Sequence, residues 1–157
     1  MKKYTTAVIG CGRIGFSWDL DPGRIRPAAH LGALNKNPRI KIVGAAEIDG
    51  HKRATVANYF PRVPVFKSAA ELFKKIHPDI IVVATPDNLH YPIVKLAAEH
   101  KAKLILCEKP IATNLADAKR AIQVAKKHGS ILLINHMRRF DPELKKLGNY
   151  FKVKKFG

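Results

Sequence analysis

Ala7-Val8-Ile9-Gly10-Cys11-Gly12-Arg13-Ile14-Gly15 decides how this chain is read. Three apolar residues suited to a buried strand run directly into a GxGxxG turn. The first glycine permits a sharp turn, and the second lets a pyrophosphate approach the backbone. The third lets the next helix pack close to the strand, with its N-terminal N–H groups aimed at the phosphates. A lone GxGxxG is a weak signal. Here it stands at the start of an alternating strand and helix pattern, which makes dinucleotide binding the expectation. Gly10, Gly12, Arg13, Ile14 and Gly15 then form the phosphate end of a cofactor site.

The alternation continues along the chain. Apolar runs at 6–9, 40–46, 79–84, 103–107 and 131–134, with a short one near 63–66, read as strands. Nearly continuous apolar runs suit strands covered on both faces, as in a parallel sheet. Ser68-Ala69-Ala70-Glu71 has the spacing of a capping box and opens a helix through Lys75. Pro92 suits the first turn of a helix reaching about His100. Asn114 can cap a helix that places Leu115, Ala118, Ile122 and Ala125 on one face and stops at Gly129. The fold expected is α/β: a doubly wound, mostly parallel six-stranded sheet of the Rossmann dinucleotide-binding type.

Residues 17–27 break the rhythm. Asp19, Asp21, Pro22, Gly23 and Pro27 make the stretch too turn-rich to continue the first helix, so it reads as an inserted loop, with the helix resuming over 28–35. The insertion delays the first acid after the second strand, Glu47, beyond the usual spacing of about 20 residues. Trp18 in this loop reads as a surface-packed aromatic, with a place over a ligand as the alternative.

Length and composition narrow the class. A chain of 157 residues suits one domain. Two cysteines, Cys11 and Cys107, make no disulfide framework and fit a reducing, cytoplasmic setting. No apolar run approaches the roughly 18 residues of a membrane span. The 29 basic against 12 acidic residues leave a formal charge of +17, which favours anionic partners. A lysine-rich solvated surface is the plainer reading. No helix-turn-helix, zinc-finger or RNA-binding signature supports nucleic acid as the partner, and no metal site is expected.

Three constellations carry chemistry. Glu47 and Asp49 follow the second strand, where a carboxylate accepts hydrogen bonds from adenosine ribose hydroxyls and repels a 2′-phosphate. That favours NAD. Lys52 and Arg53 weaken the preference, so NADP stays open. Ala84-Thr85-Pro86-Asp87-Asn88-Leu89-His90 ends the fourth strand, at the edge where open α/β sheets hold ligands. Glu108-Lys109-Pro110 ends the fifth. An acid and a lysine side by side there are not ordinary strand content. The lysine suits a hydrogen bond to a substrate hydroxyl or carbonyl; a surface ion pair between the two is the plain alternative.

These motifs, followed by Arg139-Phe140-Asp141-Pro142, resemble in order and spacing the glucose–fructose oxidoreductase / inositol dehydrogenase / rhizopine-catabolism (Gfo/Idh/MocA) family, over essentially the whole chain. The resemblance implies an NAD(P)-dependent oxidoreductase of sugars, cyclitols, sugar nucleotides and related compounds. It makes Lys109 the catalytic residue bridging nicotinamide and substrate, and Glu108 part of the cofactor site. The Lys109–Pro110 bond is cis on this likeness. Ala84, Thr85, Pro86, Asn88 and His90 would border the nicotinamide half. His136 and Arg139 match motif positions less firmly. Asn135 stands where many members carry glycine and receives no role.

Members of that family are about twice as long, with a second α/β domain holding the substrate pocket. The organisation implied is a cofactor domain over 1–142 and a basic segment over 143–157, leading to a second domain absent from this sequence. Such a half would turn over little alone, and would rely on a separate polypeptide or on self-association. A competing reading is a non-catalytic nucleotide-binding or sensor module that docks a partner through 143–157, where lysines alternate with Leu147, Tyr150, Phe151 and Phe156. Charge-driven nucleic-acid binding is weaker. A methyltransferase is disfavoured by Glu-Lys-Pro.

Overall fold

Each apolar run leaves a strand with two faces to cover, and the intervening helices cover them from both sides. The structure, a computed structural model, describes residues 3–152, with side-chain surroundings for 3–148. Strands β1 (Tyr4–Ile9), β2 (Ile40–Ala46), β3 (Val65–Phe66), β4 (Ile80–Val83), β5 (Leu104–Glu108) and β6 (Ile131–Asn135) form one sheet in the order β3-β2-β1-β4-β5-β6. Every neighbouring pair is parallel. The doubly wound sheet expected from the sequence is therefore present. Its order reverses between β1 and β4, which opens a crevice at the strands' carboxyl ends.

Successive strand residues feed opposite layers, as the two-residue period demands. Ile9, Ile81, Val83 and Ile105 pack with Phe73, Val94 and Ala97 on one side. Val8 and Val82 pack with Phe16, Leu31 and Val56 on the other. The helices are α1 (His30–Lys36), α2 (Gly50–Tyr59), α3 (Ala69–Lys75), α4 (His90–Glu99), α5 (Leu115–Lys127) and α6 (Pro142–Lys152). Ser68 and Asn114 cap α3 and α5 through side-chain oxygens, as their sequence positions suggest.

The face of α5 differs from the expected one. Ala121 and Ala125 are buried, whereas Leu115 is 70% and Ile122 56% exposed. The helix lies close to its neighbours through small alanines, so the bulkier residues are rotated outward. The docking expectation for Tyr150, Phe151 and Phe156 falls on side chains outside the described residues.

The insertion interrupts a helix rather than replacing it. The Ile14 carbonyl accepts from the His30 N–H at 2.8 Å and that of Gly15 from Leu31 at 3.0 Å. These are the bonds a continuous helix would make between residues four apart, closed here across the inserted loop. Within the loop, a 3₁₀ turn over Ser17–Leu20 buries Asp19. Its Oδ1 accepts from the N–H groups of Ala28 and Ala29, and its Oδ2 from Gly32. The carboxylate and the Ile14 and Gly15 carbonyls together satisfy the donors at the start of α1. Trp18 has the Arg24 guanidinium 4.1 Å above its ring.

At the opposite, amino-terminal edge of the sheet, Asp79 ties three strands together. It accepts from the Thr5 N–H and hydroxyl at 2.9 and 2.8 Å and from Lys103 Nζ at 2.7 Å. The Lys103 bond, helped by those from Thr5, lowers its pKa to about 2.

Candidate functional site

A cleft of about 1130 Å³ opens along the carboxyl edge of the sheet. Its floor is the glycine turn. Gly10 has φ +91°, and a Cβ there would come within 2.6 Å of the Ala84 carbonyl oxygen. At Gly15 a Cβ would fall onto the Gly10 carbonyl, so this glycine lets the two turns pack. A Cβ at Gly12 would meet nothing within 4 Å. Gly12 therefore lines an open cradle and is not needed as glycine for the fold itself.

Gly10, Gly12, Arg13 and Ile14 all line the cleft; Gly15 lies behind them. Cys11 is buried in the same turn, and burial, reinforced by the Glu47 charge, pushes its thiol up to about 12. Burial does the same to Cys107. Both are inert thiols.

Glu47 directly follows β2 and is only 8% exposed. Its Oε2 accepts from the Cys11 N–H at 2.7 Å and its Oε1 from Asp49 at 3.0 Å. The carboxylate pins the glycine turn to β2 and still presents unused lone pairs to the cleft. Arg53 is turned away: its guanidinium donates to the Glu47 and Ile48 carbonyls. Lys52 remains exposed on the wall. Ile48, 87% exposed, offers a flat apolar surface beside Glu47.

Across the cleft, Ala84, Thr85 and Pro86 line the wall together with Glu108 and Lys109. Asn88 is exposed outside the wall, and His90 lies buried behind it. Thr85 Oγ1 is buried with no hydrogen-bond partner among the described residues. Glu108 and Lys109 do not pair with each other. Glu108 Oε1 instead accepts from His30 Nε2 at 2.8 Å and from Asn135 Nδ2 at 2.6 Å. Burial pushes the Glu108 carboxyl up, but the bonds from His30 and Asn135 outweigh it and hold the pKa below its ordinary value. Lys109 is exposed and has no acidic partner among the described residues. The Lys109–Pro110 bond is cis.

Sequence reasoning passed over His30, Asn135, Met137 and Arg138. His30 reaches Glu108 because the interrupted helix resumes beside the cleft. Excising the turn-rich loop from the sequence would have exposed that position. A 3₁₀ turn over Met137–Phe140 brings Met137 and Arg138, not His136 or Arg139, to the cleft wall. No periodicity in the sequence distinguishes Arg138 from Arg139.

An orphaned hydroxyl, an open glycine cradle and a carboxylate with spare lone pairs suit a dinucleotide. The family described as "Oxidoreductase family, NAD-binding Rossmann fold" (GFO_IDH_MocA) matches residues 4–136. This chain belongs to that family.

The uncharacterized oxidoreductase YrbE of Bacillus subtilis is 30% identical over 146 residues, covering 93% of this chain and 39% of YrbE. The rhizopine catabolism protein MocA of Rhizobium meliloti is 27% identical over 147 residues, covering 94% of this chain and 42% of MocA. Among solved structures, the WlbA dehydrogenase of Bordetella pertussis in complex with NADH and UDP-GlcNAcA superposes with a TM-score of 0.84 at 23% identity. That superposition covers 99% of this chain and 44% of WlbA, and shows the shared fold. The chain thus spans about two fifths of the length of the relatives it matches. No helix among the described residues is long and apolar enough to cross a membrane. No group of three or more His, Cys, Asp or Glu among them could hold a metal ion.

Proposed function

We propose that this chain is the cofactor-holding domain of an oxidoreductase that uses NAD in preference to NADP. Its substrate presents an alcohol or carbonyl carbon on a sugar, cyclitol or sugar nucleotide. A bound nicotinamide dinucleotide would supply the hydride acceptor or donor. The chain's own residues bind and orient. The glycine turn offers backbone N–H groups and, at Gly12, room for the pyrophosphate. Glu47 accepts from the adenosine ribose hydroxyls, and its buried charge opposes a 2′-phosphate. With Arg53 committed to backbone carbonyls, the exposed Lys52 is a cation on the wall that can offset that charge.

Thr85 Oγ1 takes up its missing hydrogen bond at the nicotinamide end. Lys109 donates to the substrate oxygen and steadies negative charge there as hydride leaves or arrives. One observation carries the reading: an exposed lysine, with no acidic partner among the described residues, lines the same cleft as the glycine cradle and a buried carboxylate. The rest of the substrate site would come from another domain or polypeptide, so little turnover is expected from these residues alone.

Trp18, the single tryptophan, lines the same cleft and makes binding observable. NADH should quench Trp18 emission and gain sensitised emission of its own, saturably. Gly12→Val should move both to about 10- to 100-fold higher NADH. Absence of energy transfer with the folded wild-type chain would sink the proposal.

A further inference from the structure

Behind the cleft wall, His90 opens α4 and is 1% exposed. Its ring reaches backbone carbonyls of two different loops. Nδ1 lies 2.7 Å from the Pro110 oxygen, and Nε2 lies 3.0 Å from the Thr85 oxygen. Among the described residues no other donor reaches either oxygen. Carbonyls only accept, so a neutral ring bonds one of them and a protonated ring bonds both. A neutral ring that bonds Pro110 carries its proton on Nδ1, and one that bonds Thr85 carries it on Nε2.

The position of this bridge matters. β4 and β5 stay paired only as far as Val83 and Cys107. Thr85 and Lys109 both lie beyond that last pair, where the sheet no longer holds the two chains in register. Glu108 is restrained from one side by His30 and Asn135. Pro110 is restrained from the other by His90. Lys109 stands between two held neighbours, with its ammonium free for the cleft.

We infer that His90 is a positioning residue, whose ring, bonded through Nδ1–H to the Pro110 carbonyl, staples the Glu108-Lys109-Pro110 segment to the start of α4 and so sets where Lys109 stands. The inference rests on the proposed seating of the dinucleotide, with nicotinamide at Thr85 and Lys109. A merely structural histidine predicts something different: its loss would weaken every ligand alike. Loss of the staple disturbs only the nicotinamide end.

The test titrates the full chain with NAD⁺ and with ADP-ribose, which shares the adenosine and pyrophosphate but lacks nicotinamide. For His90→Leu, NAD⁺ affinity should fall about tenfold while ADP-ribose affinity stays within about twofold. His90→Asn places an amide N–H near the position of Nδ1–H and should recover most of the loss. Parallel losses for the two ligands overturn the inference, as does His90→Asn behaving like His90→Leu. Should His90→Leu not fold, ¹⁵N NMR of the wild-type ring decides: the staple requires a protonated, hydrogen-bonded Nδ1, and a bare Nδ1 contradicts it. A folded wild-type chain that binds neither ligand would instead defeat the cofactor reading itself.

Discussion

Gly10 and Gly12 stand two residues apart in one turn, yet their replacement by alanine should have opposite consequences. At Gly10 the backbone has φ +91°, and the new Cβ would come within 2.6 Å of the Ala84 carbonyl oxygen. A left-handed conformation costs an L-residue about 1–2 kcal/mol, and forced overpacking adds roughly 1–3 kcal/mol. Gly10→Ala should therefore destabilise by about 2–5 kcal/mol. At roughly 2–4 °C per kcal/mol for a domain of this size, its Tm should drop by about 4–20 °C.

At Gly12 a Cβ meets nothing within 4 Å, so Gly12→Ala should leave Tm within about 1–2 °C of wild type. Its effect should appear in the cleft instead. A side chain there stands where the pyrophosphate approaches the N–H groups, and hydrogen bonds to a charged group are worth about 1.5–3 kcal/mol. Cofactor affinity should fall about 10- to 100-fold for Gly12→Val and less for Gly12→Ala. Thermal unfolding by circular dichroism and NADH titration on the same samples separate the two effects. A Gly12→Ala chain as unstable as Gly10→Ala, or a Gly12→Val chain that binds NADH like wild type, would refute the reasoning.

Three further outcomes follow from the geometry. Asp79 has a native pKa lowered to about 2, so its contribution is present above the unfolded carboxyl value near 4 and is lost as pH falls through 2. At about 1.4 kcal/mol per pKa unit this reaches at most about 2.5 kcal/mol, less whatever solvent screening at Lys103 removes. Urea unfolding of Asp79→Asn should show a flatter stability profile between about pH 4 and 2 than wild type; matching slopes would contradict the assignment.

Asp19→Ala removes the acceptor of three N–H groups at the start of α1 and should cost about 2–3 kcal/mol. Hydrogen exchange should quicken at Gly32, and a Tm shift under about 2 °C would count against this role. Glu47→Gln keeps the shape but removes the charge that faces the ribose. The ratio of NADP⁺ to NAD⁺ affinity should rise about tenfold, since removing one like charge near a phosphate is worth roughly 1–2 kcal/mol. An unchanged ratio would exclude Glu47 from the choice.

Much of the fold was legible because apolar runs and caps are local. All six strands follow from continuous apolar stretches, and Ser68 and Asn114 mark helix starts by side chains that bond backbone three residues on. The face of α5 was not legible. Leu115 and Ile122 have the right spacing and more hydrophobicity than Ala121, but close packing selects the small residue, and only the neighbours reveal that. At the site, glycine, carboxylate and lysine motifs announce themselves by type and place. The contacts that hold Glu108 do not: His30 comes from the far side of an insertion, and Asn135 from a different strand. His90 is visible in the sequence as a rim residue, yet its ring turns away from the cleft onto two carbonyls. Such long-range polar contacts have no periodicity to betray them.

The central claim is that the glycine turn, Glu47 and the Thr85–Lys109 wall form one working dinucleotide site. Calorimetric titration of the purified chain with NAD⁺, NADH, NADP⁺ and NADPH tests it most directly. The account predicts saturable one-to-one binding, tighter for NAD(H) than for NADP(H) and weakened by Gly12→Val and by Glu47→Ala. A folded chain that binds none of the four, or that binds them undiminished in the Gly12→Val variant, would contradict it.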